Sequence, residues 1–275
     1  LGTQKKTNYA LRENMSKEEF VSELLDGMPT PPRYFKENAM MNKQGYNSFD
    51  DVIRQGVRSL DINEFKNFLL NPDIIILDVR HQNDFIKKHI PNSIFIGLNG
   101  SFAPWVGSII GNTNKKIVLI TPKGKENEAV TRLSRVGFDN CLGYLKGGVE
   151  KWERDGNSVS SLESIKSKDF IDVLKLNKLN ILDVRKESEY STKHIEGATN
   201  IPLRLLCSKY EEVKAKEDLY VHCAGGYRSV IAISILRKKG YSGMINITEG
   251  FNEILKSDLN ENCYNSSLEA SCNNI

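Results

Sequence analysis

Short apolar runs ending in polar residues punctuate the last two thirds of the chain. They read IIILDVR at 74–80, KIVLI at 116–120, LNILDVR at 179–185 and LYVHC at 219–223. Unbroken apolar runs of this length predict strands buried on both faces of a parallel sheet, with polar residues emerging at their C-terminal ends. The stretches between them carry helical spacing. VIAISILRKKG at 230–240 reads as a buried helix, and the glycines of VGF (136–138) and KGY (239–241) suit helix C-termini.

The pattern occurs twice. FIKKHIPNSIFI at 85–96 parallels YSTKHIEGATNI at 190–201, and YLKGGVEKW at 144–152 parallels ITEGFNEIL at 247–255. Two homologous α/β units are therefore expected at 59–158 and 159–257, each a parallel sheet with helices on both faces. Residues 1–58 hold Pro29, Pro31 and Pro32 and show weaker periodicity. MSKEEFVSELLDG (15–27) predicts a helix capped by Ser16, with Glu19 completing a capping box and Gly27 ending it. PTPPRYF is expected to be extended. The segment is too apolar for a free linker and is expected to pack against something. The Asn- and Ser-rich tail, 258–275, reads as disordered.

Composition narrows the function classes. At 39% hydrophobic and 27% charged, the chain fits an ordinary globular protein. Its net charge of +3 is spread along the sequence, which argues against a nucleic-acid partner. No apolar run is long enough to span a bilayer, and no signal peptide opens the chain. The first residue is Leu1, so a fragment or processed product is expected. The five cysteines (Cys141, Cys207, Cys223, Cys263, Cys272) form no disulfide framework, and a reducing cytosol is the simplest compartment. The four histidines (His81, His89, His194, His222) make no metal-ligand pattern, so no metal is expected in this chain.

One stretch carries chemistry. VHCAGGYRS at 221–229 sets Cys223 at the end of a strand and the loop Ala224, Gly225, Gly226, Tyr227, Arg228, Ser229 at the start of a helix. A helix N-terminus offers unpaired N–H groups and a positive dipole end, which favour a nucleophilic thiolate. Gly225 and Gly226 allow positive φ, so that successive N–H groups can face one point and form an anion-binding nest. Arg228 adds a planar cationic fork for an anionic substrate. Four residues lie between Cys223 and Arg228, one fewer than in the phosphate cradle of tyrosine phosphatases, so the ring better fits a single extra sulfur than a phosphoryl group. His222 invites a Cys–His pair, but neighbouring strand side chains point to opposite faces. Asp183, Asp78 and Arg80 read mainly as structural, and Trp105 and Trp152 as packing residues. KGKENEA at 123–129 lacks the spacing of a phosphate loop and reads as solvated.

LDVR, KHIEGATNIP and the Cys-x4-Arg loop, in that order and spacing, resemble the rhodanese family. The resemblance implies a sulfurtransferase in which Cys223 accepts sulfane sulfur, residues Ala224 to Ser229 cradle the persulfide, and Arg228 contacts the substrate anion. Asp183 and Arg185 would support the loop. Donors and acceptors would be thiosulfate, low-molecular-weight persulfides, thiols and sulfite, with no cofactor in this chain; homo-oligomer formation is left open. The first unit has TPKGKENEAVTRL where the loop belongs and no cysteine, however the one-residue spacing difference is placed, so it resembles an inactive rhodanese. TNYAL and FVSELLDGMPTPPRYF resemble the connector of bacterial fusions between a metallo-β-lactamase-fold persulfide dioxygenase and rhodanese domains. That implies an upstream iron enzyme whose ligands are not in these residues, and a role in sulfide and persulfide detoxification. Two other readings stay open: a Cys-loop phosphatase or arsenate-reductase relative, and a non-catalytic sulfur carrier or docking module.

Overall fold

The computed structural model describes residues 2–8, 11, 15–26, 31–32, 34–45, 48–214, 218–256 and 264–265. Among the described residues, four α-helices precede the sheets: α1 (Gly2–Thr7), α2 (Lys17–Leu25), α3 (Tyr34–Gln44) and α4 (Phe49–Gly56). The first unit follows as β1 (Ser59–Leu60), α5 (Ile62–Leu69), β2 (Ile74–Asp78), α6 (Gln82–Lys87), β3 (Ile94–Phe95), α7 (Phe102–Ile110), β4 (Lys116–Ile120), α8 (Glu126–Ser134), β5 (Cys141–Leu145) and α9 (Gly148–Arg154). The second is β6 (Ser164–Ile165), α10 (Ser167–Leu176), β7 (Asn180–Asp183), α11 (Glu187–Thr192), β8 (His194–Ile195), β9 (Thr199–Asn200), α12 (Leu203–Lys209), β10 (Leu219–His222), α13 (Tyr227–Lys238), β11 (Met244–Ile247) and α14 (Phe251–Ile254). A last short strand, β12 (Tyr264–Asn265), pairs antiparallel with β8. The rest of the Asn- and Ser-rich tail lies outside the described residues.

The two sheets have matching topology. Their strand orders are β1-β5-β4-β2-β3 and β6-β11-β10-β7-β9, with every neighbouring pair parallel. The apolar strands are buried on both faces because each face has its own core. Val118 and Ile120 point into a cluster with Phe65 and Trp152 on one side of the first sheet. Ile117 and Leu119 point the other way. In the second unit Tyr220 and Ile245 join Phe170 and Phe251, while Leu219 and Val221 face the opposite side.

Those opposite sides form one core shared by both units, containing Phe95, Phe102 and Leu133 of the first and Val221, Cys223 and Val230 to Leu236 of the second. α13 lies inside it, with every residue from Ser229 to Leu236 buried. A helix apolar all round is the kind that gets sandwiched. Each large aliphatic side chain buried there contributes about 1.5–3 kcal/mol, against roughly 1 kcal/mol for a hydrogen bond such as Phe95 N–H to Ser234 Oγ at 3.1 Å. Apolar burial therefore dominates the docking of the two units.

The N-terminal segment packs as its apolar content demands, in part. α4 lies on α8, so closely that a Cβ at Gly56 would meet the Val130 side chain. α2 carries the expected capping box, with Glu19 N–H donating to Ser16 Oγ and Ser16 N–H to Glu19 Oε2. Gly27 lies outside the described residues. The expectation of an extended PTPPRYF is corrected at its end: Tyr34 and Phe35 open α3, with Phe35 N–H bonded to the Pro32 carbonyl. Proline suits the entry to a helix because its missing N–H is one the first turn does not use.

Candidate active site

β10 sits between β7 and β11, and its C-terminal end delivers Cys223 to the mouth of the second sheet. Cys223 is only 1% exposed. Its Sγ accepts a hydrogen bond from Gly226 N–H at 3.2 Å and lies 3.9 Å from the buried Ser229 Oγ. Gly226 is the residue at the head of α13, so an N–H that the helix leaves unpaired points at the sulfur.

The two loop glycines have different roles. Gly226 has φ +80°, and a Cβ there would fall 1.7 Å from the Thr248 carbonyl oxygen. Gly225 corrects the sequence expectation: its φ is not in the positive region and a Cβ would meet nothing within 4 Å. The start of the loop is held from behind. Phe251 N–H donates to the Cys223 carbonyl at 2.7 Å and Asn252 N–H to the Ala224 carbonyl at 2.9 Å. Tyr227 contributes backbone to the loop, but its side chain turns into the first unit, where its hydroxyl donates to the Gly97 carbonyl at 2.8 Å.

Asp183 and Arg185 lie behind the loop, on the far side of the sheet from Cys223. Arg185 is bonded to both Asp183 oxygens, with Nη2 to Oδ2 at 2.6 Å, and donates to the Lys193 carbonyl at 2.9 Å. Its guanidinium stands 3.8 Å from the centre of the Phe251 ring. The Asp-Val-Arg motif therefore meets Cys223 through Phe251, whose backbone holds the Cys223 carbonyl. His222 also stacks on that ring, with centroids 5.7 Å apart. It is fully buried and points away from Cys223, as strand alternation requires. Its Nε2 is 3.7 Å from Asp183 Oδ2 and has no hydrogen-bond partner, and burial lowers its pKa against the opposing pull of Asp183.

Sequence reasoning missed Glu189. It clamps Arg228 with two bonds, Nη1 to Oε2 at 2.7 Å and Nη2 to Oε1 at 2.8 Å. Those bonds hold the Glu189 carboxyl down to about 2. They use two of the five guanidinium N–H donors, so Arg228 keeps donors to spare. A signal was present in the repeat: Asp84 occupies the same place after the first Asp-Val-Arg as Glu189 after the second.

The first unit reproduces the frame and changes the contents. Asp78 pairs with Ile120 as Asp183 pairs with His222, and Val79 N–H bonds to the Ile120 carbonyl as Val184 N–H does to that of His222. Thr121 thus stands where Cys223 stands, Gly124 (φ +79°) matches Gly226, and Glu126 matches Arg228. The loops align without a gap, and the one-residue spacing difference falls in the following helix. Glu126 Oε1 accepts from Gly124 N–H at 3.2 Å and from the Thr121 hydroxyl at 3.4 Å. The cradle of the first unit is filled by its own carboxylate. Cys141 is buried on β5, away from this loop, with its thiol pushed up to about 12 by burial.

The rhodanese-like domain family model matches residues 61–155 and again 167–257. The chain belongs to the rhodanese-like domain family. It carries two rhodanese-like domains, and Cys223, Arg228 and the Asp183–Arg185 pair lie in the second. Among curated proteins it is similar to YrkF of Bacillus subtilis (strain 168), named as a candidate sulfur carrier protein, with 33% identity over 40% of this chain and 58% of that one. It is also similar to a protein named sulfurtransferase from Allochromatium vinosum, with 27% identity over 26% of this chain and 65% of that one. The chain thus spans less than two thirds of the length of either relative. Among solved structures, the thiosulfate sulfurtransferase of Pseudomonas aeruginosa matches 77% of this chain and 44% of its own at 18% identity, with a TM-score of 0.34. No helix among the described residues is long and apolar enough to cross a membrane.

Proposed function

We propose that the chain is a sulfurtransferase that carries sulfane sulfur on Cys223. The observation that carries this reading is the Gly226 N–H aimed at the Cys223 sulfur at the head of a helix, with Arg228 at the edge of the same loop. The Cys223 thiolate attacks the outer sulfur of thiosulfate, its S–S bond breaks, and sulfite leaves with the electron pair. A persulfide donor reacts alike and releases its thiolate. The negative charge of the new Cys223 persulfide falls within the loop, where backbone N–H groups and Arg228 stabilise it. A thiolate or sulfite then attacks the terminal sulfur and frees the Cys223 thiolate, a ping-pong cycle through a covalent intermediate.

Asp183 and Arg185 support the loop through Phe251, and the first domain is inactive because Thr121 and Glu126 replace the nucleophile and the cation. The resemblance of the first 58 residues supports a role in detoxifying sulfide-derived persulfides. The similarity to YrkF favours a second reading, in which Cys223 carries sulfur to a partner protein without turning over small donors.

Incubation with thiosulfate is expected to add one sulfur to the peptide containing Cys223, removable by a thiol, and to support many turnovers. Loading that stops after one equivalent would favour the carrier. Cys223→Ser is expected to abolish both loading and turnover. Arg228→Ala is expected to weaken thiosulfate use by about 1.5–3 kcal/mol, the worth of a charge-assisted contact. Sulfur transfer by Cys223→Ser, or sulfur found on Cys141 or Cys207, would end the reading.

A further inference from the structure

We infer that the first domain is a working part of the second domain's site, with Tyr227 as the positioning residue through which it holds the cradle facing Cys223. Tyr227 follows Gly226 directly and opens α13, so its placement sets the peptide group next to the N–H that points at the sulfur. Its side chain is fixed by the first domain at three points. The hydroxyl donates to the Gly97 carbonyl at 2.8 Å. The ring lies against Gly100, where a Cβ would sit 2.4 Å from Cζ and 2.7 Å from Cε1 and Cε2. Phe95 meets the ring edge-on, with centroids 5.7 Å apart. The turn that receives the ring is itself tied down, since Arg132 of α8 donates to the Leu98 carbonyl at 2.7 Å.

The loop is consequently clamped from two sides. Its Cys223–Ala224 end is held by backbone N–H groups of Phe251 and Asn252 in the second domain. Its Tyr227 end is held by Gly97 and Gly100 in the first. Gly226, pressed against the Thr248 carbonyl, lies between the two clamps. The repeat supplies a contrast: Lys125, which holds this place in the first domain's own loop, is exposed and pairs with Glu128 on its own helix. A domain without a nucleophile thus contributes to sulfur transfer by geometry.

The effect on turnover rests on the sulfur-transfer reading, so the test has two readouts on the full chain. Tyr227→Phe removes the hydroxyl and keeps the ring, while Gly100→Ala forces the ring out of its notch. Cys207→Ala is the control, because it loses a contact between the domains, from Cys207 Sγ to the Ile109 carbonyl at 3.7 Å, that involves neither the loop nor the three points holding Tyr227. Amide hydrogen exchange at Gly226 is expected to quicken by about tenfold in both test variants and to stay unchanged in the control, the scale of one lost hydrogen bond. The turnover number with thiosulfate is expected to fall by about five- to tenfold while KM stays within about twofold, because positioning acts on the reacting step. Unchanged exchange in both test variants, equal exchange in the control, or quickened exchange with normal turnover would overturn the inference. Quickened exchange in a chain whose wild type transfers no sulfur would retain the clamp and remove the proposed function instead.

Discussion

Gly226 and Gly225 are neighbours of one type with opposite constraints. At Gly226 the backbone has φ +80° and the space for a Cβ is taken by the Thr248 carbonyl oxygen 1.7 Å away. A left-handed conformation alone costs an L-residue roughly 1–2 kcal/mol, and a clash with backbone cannot be relieved by a rotamer change. Gly226→Ala is expected to lower stability by more than about 2 kcal/mol and to abolish sulfur loading. Gly225→Ala has open space and no positive φ, so it is expected to change stability by less than about 1 kcal/mol, with some gain from a less flexible unfolded chain. Urea unfolding midpoints compare the two, and equal losses would contradict this account of the loop. Arg228 shows a related point. It reads in the sequence as a free fork for substrate, yet it reaches the site already clamped by Glu189, so its remaining N–H groups are the ones available to a donor.

The strand-loop-helix element occurs twice with one backbone path and two fillings. In the second domain Gly226 N–H meets the Cys223 sulfur, and in the first Gly124 N–H meets the Glu126 carboxylate. A thiol placed at Thr121 would find its N–H partner taken and a negative charge beside it. In a Cys223→Ser background, Thr121→Cys alone is therefore expected to take up no sulfur from thiosulfate, whereas Thr121→Cys with Glu126→Arg gains loading at residue 121. Mass mapping of the residue-121 peptide measures it, and efficient loading of the single variant would show that Glu126 does not block the cradle. Much of this element is legible in the sequence, because apolar runs, Asp-Val-Arg and a Cys-x4-Arg loop are local patterns. The partners Glu189, Phe251, Gly97 and Gly100 are not, because they arrive from other elements and periodicity does not encode which faces dock. The start of α3 at Tyr34 was hidden for a different reason: proline signals both an extended segment and a helix entry, and only the residues after it decide.

At the scale of the whole molecule, each domain buries a histidine, and both shift in the same direction. His89 is 3% exposed, stacks on Phe85 at 4.1 Å and holds the Phe85 carbonyl through Nδ1 at 2.8 Å. Burial lowers its pKa to about 4, against the backbone hydrogen bond to Phe85, while Arg237 and Arg80 add to the lowering. Burial also lowers that of His222, where Arg185 and Arg228 oppose protonation and Asp183 favours it. In the unfolded chain both rings take up protons below about 6.5. Between that pH and the folded values, the unfolded state binds more protons, so acidification favours unfolding. The stability is complete above about pH 7 and declines as pH falls toward 4. His89 alone accounts for roughly 3 kcal/mol of this, since one pKa unit is worth about 1.4 kcal/mol. The shared core through α13 joins the domains, so the loss is expected in a single cooperative unfolding transition. Urea titrations from pH 8 to pH 4.5, followed by tryptophan fluorescence and by circular dichroism, test both expectations. His89→Asn, which offers a side-chain N–H near the Phe85 carbonyl without a titrating ring, is expected to flatten the decline by up to one proton's worth. A pH-independent midpoint in the wild type, or two separated transitions at pH 8, would contradict the reading of two domains joined through one core, each burying an uncharged histidine.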